Sequence, residues 1–161
     1  MILCDTNILI EFYKNNSQII SELRYIGLNK LAVSAITQAE LYYGAINKVE
    51  LKKIKKHLQL LHIFPVDIMV SNQFIELMET YSLSHKLSIP DALIASTALV
   101  HKIDLYTLNI KDFRFIHGLN LYQSSMDKRK DSGGGIDKSD NGGGISQVWK
   151  KTCPQNQTEK P

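Results

Sequence analysis

The segment Ala92-Leu93-Ile94-Ala95-Ser96-Thr97-Ala98-Leu99-Val100 constrains this chain more than any other. It is apolar nearly all round and rich in alanine. A helix formed here has no solvent face, so it must be central, with other elements packed over it. Ser88 can cap this helix, and Pro90 and Asp91 fall among its first residues. There a missing N–H costs little and the helix dipole favours an anion.

Around that helix, short apolar runs alternate with stretches of helical period. Ile2–Cys4 reads as a strand, followed by a helix from about Asn7 to Tyr13. The spacing from Ile19 to Leu28 is helical and ends near Gly27. Leu31–Val33 reads as a second strand, after which Ser34 can cap a helix running to about Asn47. Leu51, Ile54, Leu58 and Leu61 occupy one face of a further helix. Ile63–Val66 reads as a strand whose Pro65 suits an edge position. Val70 to Lys86 is helical, Leu105–Thr107 is a strand, and Leu119–Tyr122 reads as another. Strands that alternate with helices predict an α/β domain with a mainly parallel sheet.

The composition shifts near Ser124. Six of the nine glycines lie in two tracts, Gly133–Gly135 and Gly142–Gly144, within the near-repeat DSGGGIDKSDNGGGIS. Ser, Asp, Lys, Asn and Gln fill the rest, with Val148 and Trp149 the only sizeable apolar residues near the end. Such a stretch cannot bury enough apolar surface to offset ordering entropy, so residues 124–161 read as a disordered tail behind a folded unit of residues 1–123. No apolar run approaches the roughly 18 residues of a membrane span. The N-terminus meets Asp5 with no basic region before it, which argues against a signal peptide and makes the cytoplasm the default expectation. Cys4 and Cys153 share no metal-ligand spacing, and Cys4 reads as a small buried residue.

The net charge of +3 is too mild to identify a polyanionic partner. Its distribution says more. Residues 1–123 hold 12 Lys and Arg against 11 Asp and Glu. Were four of those acids gathered at one site, the remaining surface would be clearly basic, which suits a polyanion held next to a cation.

Four acids are candidates for such a site. Asp5 directly follows the first strand, where ligands bind in open α/β sheets, although it could equally cap the next helix. Glu40 shares its side of the helix with Ile36, Tyr43 and Gly44, which puts it on or beside the apolar face. A glycine at position 44 would permit close approach of another element. Asp91 stands at the mouth of the buried helix, where dipole complementation alone could explain it. Asp112 follows a strand and could be an ordinary turn residue. Carboxylates without a His/Cys set suit hard cations such as Mg²⁺ or Mn²⁺, not zinc.

Read in order, Asp5-Thr6-Asn7, then Ala39-Glu40-Leu41 with Tyr43-Gly44-Ala45, then Ile89-Pro90-Asp91-Ala92-Leu93-Ile94-Ala95, then Thr107-Leu108-Asn109 followed by Asp112-Phe113, resemble a known family. The resemblance is to PIN-domain nucleases, in particular the VapC-like toxins of bacterial type II toxin–antitoxin systems, and it spans about residues 1–123. It implies a three-layer α/β/α fold with a mainly parallel sheet, a Mg²⁺ or Mn²⁺ cofactor and endonucleolytic cleavage of RNA. By position, Asp5, Glu40, Asp91 and Asp112 would be the catalytic and metal-binding quartet. Asn7 would support Asp5, and Thr107 and Asn109 would be polar residues behind the acids. The family further implies hydrolysis by a metal-activated water, a homodimer, and a small antitoxin bound at the active-site groove. The glycine-rich tail departs from the family pattern, in which the chain stops near the last strand.

Other features carry less. Lys52, Lys53, Lys55 and Lys56 beside the apolar stripe could contact phosphates, but also suit the solvated face of an amphipathic helix. The five histidines have no shared spacing and read as surface or core residues. The phenylalanines and tyrosines read as core rather than as base-stacking platforms. A phosphatase of the haloacid dehalogenase type also begins with an Asp after its first strand, but needs a second acid where this chain has Asn7. A non-catalytic PIN-like module binding RNA or protein is the remaining alternative, and the presence of all four acids argues against it.

Overall fold

Strands of only three or four residues survive here because the inner ones are covered by helices on both faces. The computed structural model describes residues 1–124. Their order is β1 (Ile2–Cys4), α1 (Thr6–Tyr13), α2 (Ser17–Ile26), a 3₁₀ turn (Leu28–Lys30), β2 (Leu31–Ser34), α3 (Ala35–Tyr43), α4 (Lys48–Leu58), β3 (His62–Phe64), α5 (Ile68–His85), α6 (Ile89–His101), β4 (Asp104–Tyr106) and α7 (Ile110–Phe113). The strands form one sheet in the order β3-β2-β1-β4, and every pairing is parallel. The expectations for the tail, Val148, Trp149 and Cys153 lie outside the described residues.

Successive strand residues point to opposite faces, and the packing follows that alternation. Cys4, Leu31, Val33 and Tyr106 join one apolar cluster with Ile8, Leu23 and Leu58 from α1, α2 and α4. Leu3, Ala32 and Leu105 join another with Leu77, Ile94 and Phe113 from α5, α6 and α7. These two cores on either side of the sheet make the three-layer α/β/α architecture. As its composition demands, α6 is central: Ala92, Ile94, Ala95, Ser96, Thr97 and Ala98 are all buried. Its buried hydroxyls donate back to the helix, Ser96 Oγ to Ala92 O at 2.7 Å and Thr97 Oγ1 to Leu93 O at 2.8 Å, so neither hydroxyl is stranded. No helix among the described residues is long and apolar enough to cross a membrane.

Several boundaries differ from the sequence reading. The helix expected to run to Asn47 stops at Tyr43, because Asn47 is extended and its side chain accepts from Glu50 N at 2.9 Å, starting α4 instead. The strand expected at Leu119–Tyr122 shrinks to a single bridge between Leu105 and Leu121, held by Leu105 N to Asn120 O and Tyr122 N to Leu105 O. β3 ends at Phe64, before Pro65, and lies at the sheet edge where proline is tolerated. Gly27 ends α2 with φ of +89°, a region that costs an L side chain energy and glycine little. Phe12, Phe64, Phe113 and Tyr106 are core as expected, but Tyr25 and Tyr43 are exposed.

A buried histidine ties α4 to α1. His57 stacks on Phe12 with centroids 4.9 Å apart, and its Nδ1 lies 2.9 Å from the Tyr13 hydroxyl. Burial pushes its pKa down to about 4. The unfolded chain takes up this proton as pH falls through about 6.5, and the folded chain only near 4. Stability linked to His57 is therefore full above about pH 6.5 and is lost progressively toward pH 4, by about 3 kcal/mol in all. Urea unfolding at pH 7 and pH 4 should show a loss larger by roughly that amount in the natural chain than in a His57→Phe variant. Equal losses in the two would remove His57 from the acid response.

Candidate active site at the carboxyl edge of the sheet

The strand order reverses direction between β1 and β4: the chain leaves β1 toward β2 on one side, and β4 pairs on the other. In parallel sheets that reversal opens a crevice at the carboxyl ends of the strands. Asp5 N donates to Tyr106 O at 2.9 Å, prolonging the β1–β4 ladder by one residue. Asp5 and Thr107 therefore leave the sheet side by side, in that crevice.

Asp5 is only 4% exposed, and a carboxylate so placed needs donors. It has three. Oδ1 accepts from Thr6 N at 2.6 Å, while Oδ2 accepts from Asn7 Nδ2 at 2.7 Å and from Thr107 Oγ1 at 2.6 Å. The donors are themselves held. Thr107 Oγ1 accepts from Asn7 Nδ2 at 3.2 Å and from Asn109 N at 3.0 Å, which uses its one donor and both acceptor positions. Asn7 Oδ1 accepts from Leu108 N at 3.1 Å. Asn109 thus contributes through its backbone, and its side chain makes no cap for α7. Asp5 also caps α1, so the structural and the functional readings of this residue coexist.

Glu40, half-buried on α3, accepts from Thr6 Oγ1 through Oε2. Thr6 therefore touches two acids, Asp5 with its amide and Glu40 with its hydroxyl. The sequence reading gave Thr6 no role, and its only signal was a hydroxyl between Asp5 and Asn7. The side of α3 that carries Glu40 is less apolar than expected: Tyr43 is 96% exposed, and the buried residues are Thr37 and Leu41. Gly44 admits no neighbouring element. It is exposed, and a Cβ there would meet Glu40 O at 3.4 Å and Leu41 O at 4.0 Å, both from the helix it ends.

Asp91 sits in the first turn of α6. Its Oδ2 accepts from Ser88 Oγ at 2.5 Å, and its amide donates to the same hydroxyl at 3.2 Å. Ser88, expected as a cap, thus also fixes the carboxylate. Asp112 is exposed on α7, its amide bonded to Asn109 O at 2.9 Å.

Burial raises the pKa of Asp5 above the ordinary carboxylate range. The nearby charges of Asp91 and Glu40 raise it further, against the pull of the Thr107 and Thr6 hydrogen bonds. Asp91 and Glu40 are thus the two candidate acids whose charges act on Asp5. Among the described residues, no group of three or more His, Cys, Asp or Glu side chains is arranged so as to hold a metal ion by itself. The oxygen-only donors nevertheless fit Mg²⁺, which keeps several waters and needs only one or two carboxylates beside substrate phosphate oxygens. Asp5, Glu40 and Asp91 form no salt bridge among the described residues, a charge arrangement that a divalent cation would relieve.

Three solved structures similar to this chain include a toxin–antitoxin complex from Klebsiella pneumoniae, 30% identical over 74% of this chain and 95% of that one, with a TM-score of 0.65. VapBC2 from Rickettsia felis, bound to a promoter DNA fragment, is 29% identical over 78% of this chain and all of that one (100%), at 0.62. FitAcB from Neisseria gonorrhoeae is 26% identical, covering 76% and 97%, at 0.64. Among curated proteins none matches. The PIN domain family model matches residues 2–116, nearly the whole described chain and every candidate acid in it, and the chain belongs to the PIN domain family.

Proposed function

We propose that this chain is a metal-dependent endoribonuclease, the toxin of a type II toxin–antitoxin pair, hydrolysing RNA phosphodiesters at the Asp5 crevice. The observation that carries the reading is the Asp5 carboxylate, buried and aimed by three donors beside Glu40 and Asp91. Helix capping and the helix dipole account for Asp5 and Asp91 one at a time, but not for both acting with Glu40 at the one crevice the topology opens. Similarity to solved toxin–antitoxin complexes supports the toxin role and a cognate antitoxin protein as partner; a homodimer as the working state follows from the family resemblance alone.

In this reading Asp5, Glu40 and Asp91 would hold a Mg²⁺ or Mn²⁺ ion together with its waters and the substrate phosphate, and Asp112 would complete the quartet. When bound, the cation supplies a lowered water pKa and a polarised phosphate. The chain's own work is orientation. A carboxylate has about four acceptor positions, and three at Asp5 are taken, which leaves one on Oδ1 directed by the others. Thr6 holds Glu40 against Asp5, and Ser88 holds Asp91. Thr107 sets the plane of the Asp5 carboxylate and depends on Asn7 and the Asn109 amide to do so.

Purified protein should cut total cellular RNA into discrete fragments with Mg²⁺ or Mn²⁺ and not with EDTA, and an Asp5→Asn/Asp91→Asn double variant should not cut. Undiminished cleavage in EDTA would overturn the mechanism. In thermal unfolding, Mn²⁺ at a hundredfold excess over its Kd should stabilise the natural chain by about 2.7 kcal/mol and leave the double variant unmoved. Thr107→Val should lose roughly tenfold or more in activity, as removal of a group that orients a metal ligand does. Thr107→Ser, which keeps the hydroxyl, should stay close to the natural rate. Equal rates for the two would show that the hydroxyl does not orient Asp5.

A further inference from the structure

The turns that carry Asp91 and Asp112 are bridged by aromatic rings. α5 ends in His85, six residues before Asp91, and Phe115 follows Asp112 by three. The His85 imidazole stacks on the Phe115 phenyl ring with centroids 4.0 Å apart and planes 19° apart. Tyr81 closes on both, 5.6 Å from His85 and 5.3 Å from Phe115, and its hydroxyl accepts from His117 N at 3.1 Å. Ser84 Oγ lies 2.8 Å from His85 Nδ1.

The protein contains a second trio of the same three residue types, which serves as a control. Phe12, Tyr13 and His57 also stack, but there the histidine is 5% exposed and the phenylalanine 3%, wholly inside the first core. In the Tyr81–His85–Phe115 trio the histidine is exposed and the other two rings are half-buried. Packing alone accounts for the first trio. The second leaves π surface in water, on the segments that flank Asp91 and Asp112 in sequence. The same two segments present Lys86, Lys111 and Arg114, all exposed, and none makes an ion pair with an acid among the described residues. Free cations interleaved with solvent-facing rings are the pattern that binds single-stranded nucleic acid: the cations meet phosphates, and the rings stack bases of any identity.

We infer that Tyr81, His85 and Phe115 form a stacking platform for one unpaired RNA base, with Lys86, Lys111 and Arg114 meeting the phosphates that flank it. The platform rests on the nuclease reading, since it seats the strand next to the acids, and it adds that the strand is engaged unpaired. His85 supplies the accessible ring. Phe115 and Tyr81 hold it flat.

The test is fluorescence anisotropy of the full chain with a labelled ten-nucleotide single-stranded RNA of mixed sequence, in EDTA so that nothing is cut. A duplex of the same sequence serves as comparison. His85→Ala should raise Kd for the single strand by roughly tenfold, as loss of one stacked base does. It should leave Kd for the duplex unchanged, and His85→Trp should restore tight single-strand binding. A Lys86→Ala/Lys111→Ala variant should reduce the salt slope of single-strand binding by about one to two, and His85→Ala should leave that slope unchanged. Natural-level binding by His85→Ala, equal losses on duplex and single strand, no rescue by tryptophan, or no binding by the natural chain would each overturn the platform. Cleavage of total RNA with Mn²⁺ is scored separately, so the two readings fail separately. Binding that depends on ring 85 with no cleavage keeps the platform and overturns the nuclease; cleavage with an indifferent ring 85 does the reverse.

Discussion

The burial of the Asp5 carboxylate sets the terms for the rest of the molecule. A charge at 4% exposure is tolerable only when hydrogen-bonded, and the donors that reach it come from opposite ends of the fold. Thr6 and Asn7 are its neighbours in the chain, but Thr107 is 102 residues away. That bond requires β4 to lie against β1, which in turn requires two parallel strands joined by crossovers long enough to be helical. The arrangement of sheet and helices is therefore also what positions one side chain.

Parallel pairing buries the sheet on both faces, and the chain answers with two cores of different character. The core under α1, α2 and α4 is built from large aliphatics and the Phe12–His57 stack. The one under α5, α6 and α7 relies on small residues, with Ala32, Ala92, Ala95 and Ala98 bringing the α6 backbone close to the strands. Close seating of α6 is what carries its first turn, and Asp91 with it, to the edge where Asp5 stands. Cys4, wholly buried in the first core with a pKa pushed up to about 12 by burial and by Asp5, stays a neutral thiol and acts as a small apolar residue.

Much of this was legible in the residues. The alanine-rich run after Asp91 could only be a central helix, and the strand–helix alternation could only give an α/β sheet. Asp5, Glu40 and Asp91 stood out because each sits at a junction or on a half-buried face. What remained hidden has a common cause. The roles of Thr6 and Ser88 lie in hydroxyl bonds to acids, and a hydroxyl beside an acid looks the same in sequence whether it caps a helix or orients a ligand. The overrun of α3 came from reading Asn47 as helical when its side chain was better used to start the next helix. The last strand was overread because Leu119–Tyr122 has strand composition, while its pairing stops at one bridge with Leu105. Exposure of the Tyr81–His85–Phe115 rings was invisible, since the buried trio has the same composition.

The distance in sequence between Asp5 and Thr107 also orders events during synthesis. The hydroxyl that orients Asp5 is made more than a hundred residues after the acid, and domains acquire long-range contacts only once both partners have been synthesised. A nascent or prematurely terminated chain lacking β4 has the acid but neither the strand that flanks it nor the group that aims it. Orientation of Asp5 is therefore postponed until β4 and Thr107 have been synthesised.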